Sequence, residues 1–211
     1  MEEKRAVTEE TVSSTLIAIG GSTGGTHAVT EIVTALPESV PGIVIVLHMP
    51  SVLTRSFAAR LNALSDLDVR EAGDGERVMR GTVLIAPGGR HLSVRRSGAL
   101  YYTELTDGPP VNYVKPSVDV LFRSVARHAG RNAVGIILTG RGEDGARGLK
   151  EMRKRGAFTI AQGIAQGGES SGIFGMSGKA AALGAVTRIS PPGAIVRLLV
   201  DLLSLPGEKG S

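Results

Sequence analysis

At 211 residues, with 42% hydrophobic and 3% aromatic residues and no Trp, the chain has room for one α/β domain with a core of Val, Ile, Leu and Ala. The absence of Cys excludes disulfides, thiolate zinc sites and a Cys nucleophile, and it fits a reducing cytoplasm. The net charge of +4 comes from 24 basic and 20 acidic residues that are scattered rather than striped, and only four Phe and three Tyr are present to stack on bases, so nucleic acid is disfavoured as a partner.

Residues 1–14, polar and carrying four Glu, are unlike a secretory signal and are expected to be a disordered lead or linker before a domain over 15–205. No run of about 18 apolar residues marks a membrane span. Thr15–Ile19 reads as a short buried strand that ends in Gly20-Gly21-Ser22-Thr23-Gly24-Gly25 and feeds a helix to about Ala35. Ile43–Leu47 is a second buried strand. Thr54–Leu64 follows as a helix with Thr54 at its N-cap. Thr82–Ala86 is a further strand, and His91–Val94 with Leu100–Leu105 form a hairpin around Ser97-Gly98. Helical spacing covers Ser117–His128. Strand Ala133–Leu138, helix Ala146–Arg155, strand Phe158–Ala161, helix Lys179–Leu183, strand Ala185–Ile189 and helix Pro192–Leu203 complete the series. Buried strands alternating with helices imply a doubly wound, mostly parallel sheet flanked by helices, with an antiparallel β-hairpin.

Gly20 to Gly24 fits G-x-S-x-G between a strand and a helix. Small neighbours permit a sharp turn that raises the Ser22 hydroxyl beside free N–H groups at the helix start, which suit a developing oxyanion. Such turns also bind phosphate or simply turn the chain. A dinucleotide fingerprint would want Gly at Ser22, and a P-loop would want Gly-Lys-Ser/Thr. On the turn alone, a catalytic Ser is only slightly favoured.

A serine nucleophile needs a base. His27 and His128 fall in predicted helices, and His91 heads a hairpin strand. His48 follows a buried strand, at the edge where open α/β sheets place their ligands. Asp144 lies in a glycine-rich loop at the same edge and is the candidate acid, or else an N-cap for the helix at Ala146. Glu143 is a weaker rival, and Asp119 reads as a cap or a surface charge. The order Ser, His, Asp disfavours an ordinary α/β-hydrolase.

The blocks IAIGGSTGGTHAV, HMPSVLTRSFAARLN, EAGDGERVMRGTVLIAPGGRHL, DGPPVNYVKPSVDVLFRSVA and GRNAVGIILTGRGEDGARGL resemble, in order, those of the CheB methylesterase catalytic domain, over about Thr15 to Val186. The resemblance implies hydrolysis of glutamate methyl esters on the cytoplasmic domain of methyl-accepting chemotaxis receptors and, in many members, deamidation of receptor glutamines. It implies a cytoplasmic enzyme with no cofactor or metal, whose nucleophile, base and acid fall on Ser22, His48 and Asp144. Thr23, Gly24 and Arg141 are the candidates for oxyanion contact or positioning. Leu47 stands where the family often has Gln, Arg141 where Met is usual, and Glu143 where Asn is frequent. The loop within 161–178 is about four residues longer than usual. Family members usually carry an N-terminal receiver domain, for which residues 1–14 are too short. The chain is therefore expected to be an excised domain or a free-standing member, with an open cleft, constitutive activity and any control from a separate partner. The rival readings are a binding module with weak chemistry and a nucleotide or phosphate binder at Gly20–Gly25.

Overall fold

The computed structural model describes residues 15–163 and 175–203; the lead over 1–14 and most of the lengthened loop lie outside the described residues. β1 (Leu16–Ser22), α1 (Thr26–Thr34), β2 (Ile43–His48), α2 (Ser51–Leu64), β3 (Asp68–Glu71) and β4 (Thr82–Ile85) make one wing. A hairpin of β5 (His91–Ser97) and β6 (Leu100–Thr106) is followed by α3 (Val118–His128) and β7 (Ala133–Ile137). The second wing is completed by α4 (Ala146–Lys154), β8 (Phe158–Gln162), α5 (Gly175–Ala182), β9 (Arg188–Ser190) and α6 (Pro192–Leu203). The seven sheet strands run in the order β3-β4-β2-β1-β7-β8-β9, all parallel, while β5 and β6 pair separately and antiparallel.

The side-chain alternation of β1 explains the two layers. Leu16 and Ala18 face a core shared with α3, α4, α5 and the hairpin. Ile17 and Ile19 face a second core built with α1, α2 and α6. Because both faces are covered, the strand reads as an unbroken apolar run. The chain winds outward from β1 through β2 to the edge strand β3, inserts β4 between β3 and β2, then returns to place β7 on the other side of β1. The switch point therefore falls between β1 and β7, where open α/β sheets leave a crevice at the carboxyl edge.

Gly20 serves this geometry. A Cβ there would stand 2.1 Å from Val118 Cγ1, so only glycine lets the start of α3 lie against the end of β1. Among the described residues no helix is long and apolar enough to cross a membrane.

Several expected boundaries shift. α2 begins at Ser51 with Pro50 in the cap position. Thr54 is instead inside the helix, where its hydroxyl donates to the Ser51 carbonyl and pairs with Glu71. β3 had no counterpart in the sequence reading, because Asp68-Val69-Arg70-Glu71 is a charged edge strand with a single fully inward side chain, Val69. α5 starts earlier, at Gly175, and β9 is confined to Arg188–Ser190. Ala185 instead closes the end of α5, its N–H bonding to the Ala180 carbonyl.

Candidate active site

Ser22 is the last residue of β1 and His48 the last of β2, and the parallel register pairs them directly. Asp144 lies six residues past the start of the turn that leaves β7, in the loop before α4. Its carboxylate is buried, 3% exposed, and takes five donors. His48 Nε2 lies 2.8 Å from Oδ2. The Val118 N–H donates to the same oxygen at 2.6 Å. Ser117 Oγ at 2.7 Å, Asn112 Nδ2 at 2.7 Å and the Asp119 N–H at 3.3 Å reach Oδ1.

Asp144 therefore does not cap α4, whose N-cap is Gly145 in the left-handed conformation. It caps α3 from outside that helix, occupying the free N–H groups of the first turn, where a negative charge is favoured. Burial alone would push its carboxyl upward. The hydrogen bonds from His48, Asn112, Ser117 and Val118 outweigh that and hold it below the ordinary carboxylate value. The acid is thus an anion facing the imidazole, able to fix the tautomer and to balance a positive charge as it forms. With Nε2 turned to Asp144, Nδ1 is the ring nitrogen left to take a proton.

The other His and acid residues weighed from the sequence lie elsewhere. His91 is buried; its Nδ1 accepts the Ser117 N–H at 3.1 Å and its Nε2 donates to the Pro109 carbonyl at 3.0 Å. Both ring nitrogens are committed to holding loops. His27 and His128 sit on α1 and α3. Asp119 is not a surface charge, since it is 1% exposed. It accepts from Gly148 N–H at 2.7 Å and Asn112 Nδ2 at 2.9 Å, with Arg123 at 3.6 Å. Glu143 is half-buried and pairs with Lys179 at 3.1 Å and Arg147 at 3.7 Å, whereas the imidazole pairs with Asp144.

Ser22 opens on a cleft of about 550 Å³ lined by Gly24, the 139–142 loop and Gly175. A single 3-10 turn over Thr23–Gly25 leads from Ser22 into α1, so the free N–H groups of that helix start belong to residues directly after the hydroxyl. Gly140 brings the opposite wall close. A Cβ on it would lie 2.7 Å from Ser22 Cβ and 2.4 Å from Met176 Sδ. The wall is anchored by Thr139 N–H to Gln162 Oε1 at 2.9 Å and by Met176 N–H to the Gly140 carbonyl at 2.9 Å. Arg141 is exposed on this wall. Of the sequence candidates, Ser22, Gly24 and Arg141 line the cleft, His48 stands beside Ser22 in the strand register with Asp144 bonded to its ring, and Thr23 contributes its backbone to the turn. Ser22 forms no side-chain hydrogen bond among the described residues, an arrangement common before substrate arrives.

Asn112 and Ser117 were not picked out from the sequence. Their signal is faint: a DGPP turn before an Asn, the residue type that best tolerates left-handed backbone.

A hydroxyl, an imidazole and a buried carboxylate on the carboxyl edge of a doubly wound sheet make up the equipment of a serine hydrolase. The comparisons with known proteins agree in kind. A family model described as CheB methylesterase matches residues 17–199, and the chain belongs to the CheB methylesterase family. It is 57% identical over 188 residues to "Protein-glutamate methylesterase/protein-glutamine glutaminase 2" of Xanthomonas campestris, covering 89% of this chain and 52% of that protein. A protein of the same name from Rhodospirillum rubrum is 58% identical over 179 residues, covering 85% of this chain and 48% of the relative. The chain thus spans about half the length of the curated relatives it matches. The crystal structure of the Thermotoga maritima CheB methylesterase catalytic domain superposes with a TM-score of 0.83 at 35% identity, covering 90% of this chain and all of that one.

Proposed function

We propose that the chain hydrolyses methyl esters of glutamate side chains on the cytoplasmic domains of methyl-accepting chemotaxis receptors, and deamidates receptor glutamines by the same chemistry. The observation that carries this is the 2.8 Å bond from His48 to the buried Asp144 anion, with His48 in register with Ser22. The names of the relatives, protein-glutamate methylesterase and protein-glutamine glutaminase, supply the substrate class.

In this reading Ser22 Oγ attacks the ester carbonyl while His48 Nδ1 takes the hydroxyl proton. Asp144 stays ionised and balances the imidazolium. Backbone N–H groups at Thr23, Gly24 and Arg141 are the donors available to the carbonyl oxygen as it becomes negative. Collapse of the tetrahedral species breaks the C–O bond, and the proton on His48 leaves with methanol. Water, deprotonated by the same imidazole, then attacks the acyl-serine, releases the glutamate carboxylate and restores the Ser22 hydroxyl. With a glutamine substrate the first leaving group is ammonia. A cytoplasmic location follows from that substrate.

The test is methanol release from a methylated receptor cytoplasmic domain. Release by the wild-type chain and its loss in Ser22→Ala is the expected result. Equal release by both, or none by either, contradicts the reading.

A further inference from the structure

Asn112 occupies an unusual place. Its backbone lies in the left-handed region, φ 53°, and so does that of its neighbour Tyr113, φ 65°. Asn adopts this conformation readily, but a bulky residue beside it does not. Tyr113 is fully exposed, so its own packing does not hold the turn. Backbone bonds between Val111 and Val114, 3.1 Å in each direction, close it. The Lys115 carbonyl ties its far side to the Gly89 N–H at 3.3 Å.

The remaining anchor is the Asn112 side chain. Its amide nitrogen has two protons, and two carboxylate oxygens lie within reach: Asp144 Oδ1 at 2.7 Å and Asp119 Oδ2 at 2.9 Å. These acids stand on different elements, Asp144 before α4 and Asp119 in the first turn of α3. The groups facing them are the imidazole of His48 at the end of β2 and the guanidinium of Arg123, 3.6 Å from Asp119. No other side chain among the described residues donates to both acids. Backbone held in a sparsely populated conformation next to reactive groups points toward function rather than away from it.

We propose that Asn112 is a positioning residue. It gives one amide proton to each of Asp144 and Asp119, separating two neighbouring carboxylates and holding Oδ1 of Asp144 so that Oδ2 is presented to His48 and the Val118 N–H. The inference rests on the hydrolase reading above. It extends that reading because the Asn112 side chain bonds to Asp144 and Asp119 and not to Ser22, and so acts through the acid.

Two variants isolate this. Asn112→Gly keeps the left-handed backbone at no steric cost and removes only the amide. Asn112→Asp keeps the size and the backbone preference, but puts a third carboxylate against the other two. With wild-type hydrolysis of an activated ester as reference, Asn112→Gly should lower kcat about 10- to 100-fold with KM changed less than about two-fold. Asn112→Asp should fall further, and the acid limb of its kcat/KM profile should move to higher pH, because three clustered carboxylates bind protons more readily. A purely structural Asn112 would move melting temperature without moving that limb.

The proton shared by His48 and Asp144 is then followed by NMR in Ser22→Ala proteins with and without Asn112→Gly, a readout that needs no turnover. Its resonance should shift or broaden when the amide is removed. Unchanged kcat, pH profile and resonance in folded variants would overturn the proposal, as would failure of both variants to fold. An inactive wild-type chain would overturn the hydrolase reading instead, leaving the resonance to decide the role of Asn112.

Discussion

Asp144 and Ser22 leave adjacent strands of one sheet, yet they are held in opposite ways. Asp144 is buried among five donors from α3, the 112–117 segment and β2. Ser22 faces a glycine-lined cleft, makes no side-chain hydrogen bond among the described residues, and has an exposed arginine on the opposite wall. A low-dielectric, fully satisfied carboxylate costs no reorganisation when the imidazole becomes charged. A nucleophile, in contrast, must remain free to approach a carbonyl. Rigidity is therefore concentrated at the acid, and freedom at the hydroxyl.

The sharpest way to break this division is to remove its ends. Ser22→Ala and His48→Ala should each lower kcat for ester hydrolysis about 10³-fold or more, as read by steady-state kinetics. Thermal denaturation should leave Ser22→Ala near wild type and lower the melting temperature of His48→Ala, because the buried Asp144 loses a donor. Asp144→Asn should lower kcat by about 10³- to 10⁴-fold. Unlike Ser22→Ala it should also destabilise, because a neutral amide brings its own donors into a pocket already full of them.

The pH dependence gives that stability effect a signature. The Asp144 carboxyl is held below its ordinary value of 3.8, so its stabilisation is fully present above that value and is lost as pH falls through the lower folded-state value. Denaturant titrations of wild type and Asp144→Asn should show the widest gap near neutrality, and a gap that narrows below about pH 4. A gap independent of pH would mean that Asp144 is not an anion in the folded protein.

On the Ser22 side the sensitivity is steric. Gly140→Ala would push a methyl group against Ser22 Cβ and Met176 Sδ. It should lower kcat by about ten-fold or more, since small displacements of reacting groups are costly. The smallest effect is expected at Glu143, next to the acid in sequence but paired with Lys179 and Arg147. Glu143→Gln loses two partly exposed ion pairs, worth about 0–1 kcal/mol, and should keep kcat within about two-fold in the same ester assay. A larger loss would reopen the choice of acid.

How much of this was readable from sequence follows the same division. Ser22 and His48 stand at the ends of strongly apolar strands, where pattern alone places residues on the carboxyl edge. The α6 boundaries and the hairpin were likewise legible, because period and turn chemistry agree there. The surroundings of Asp144 were not. Its donors come from Asn112, Ser117 and Val118, some 26 to 32 residues away in the chain, and local pattern carries no information about which helix start a distant loop will cap. The surface-charge alternative for Asp119 failed for that reason, while its carboxylate does cap a helix start, that of α4. A carboxylate in the first turn of a helix normally faces water, but here α4 packs against α3 and the Gly148 N–H reaches its oxygen. Likewise β3 went unrecognised because an edge strand needs only one apolar side chain, and Thr54 mimicked a cap because Pro50 had already started the helix a turn earlier.

The most direct measurement of whether Ser22, His48 and Asp144 act as one relay is a pre-steady-state burst with an activated ester, with the adduct located by peptide mass spectrometry. One equivalent of alcohol should be released rapidly and the acyl group found on the peptide containing Ser22. The burst should vanish in Ser22→Ala and slow in His48→Ala and Asp144→Asn, but not in Glu143→Gln. An adduct on another residue, or a burst of undiminished rate in Asp144→Asn, would contradict it.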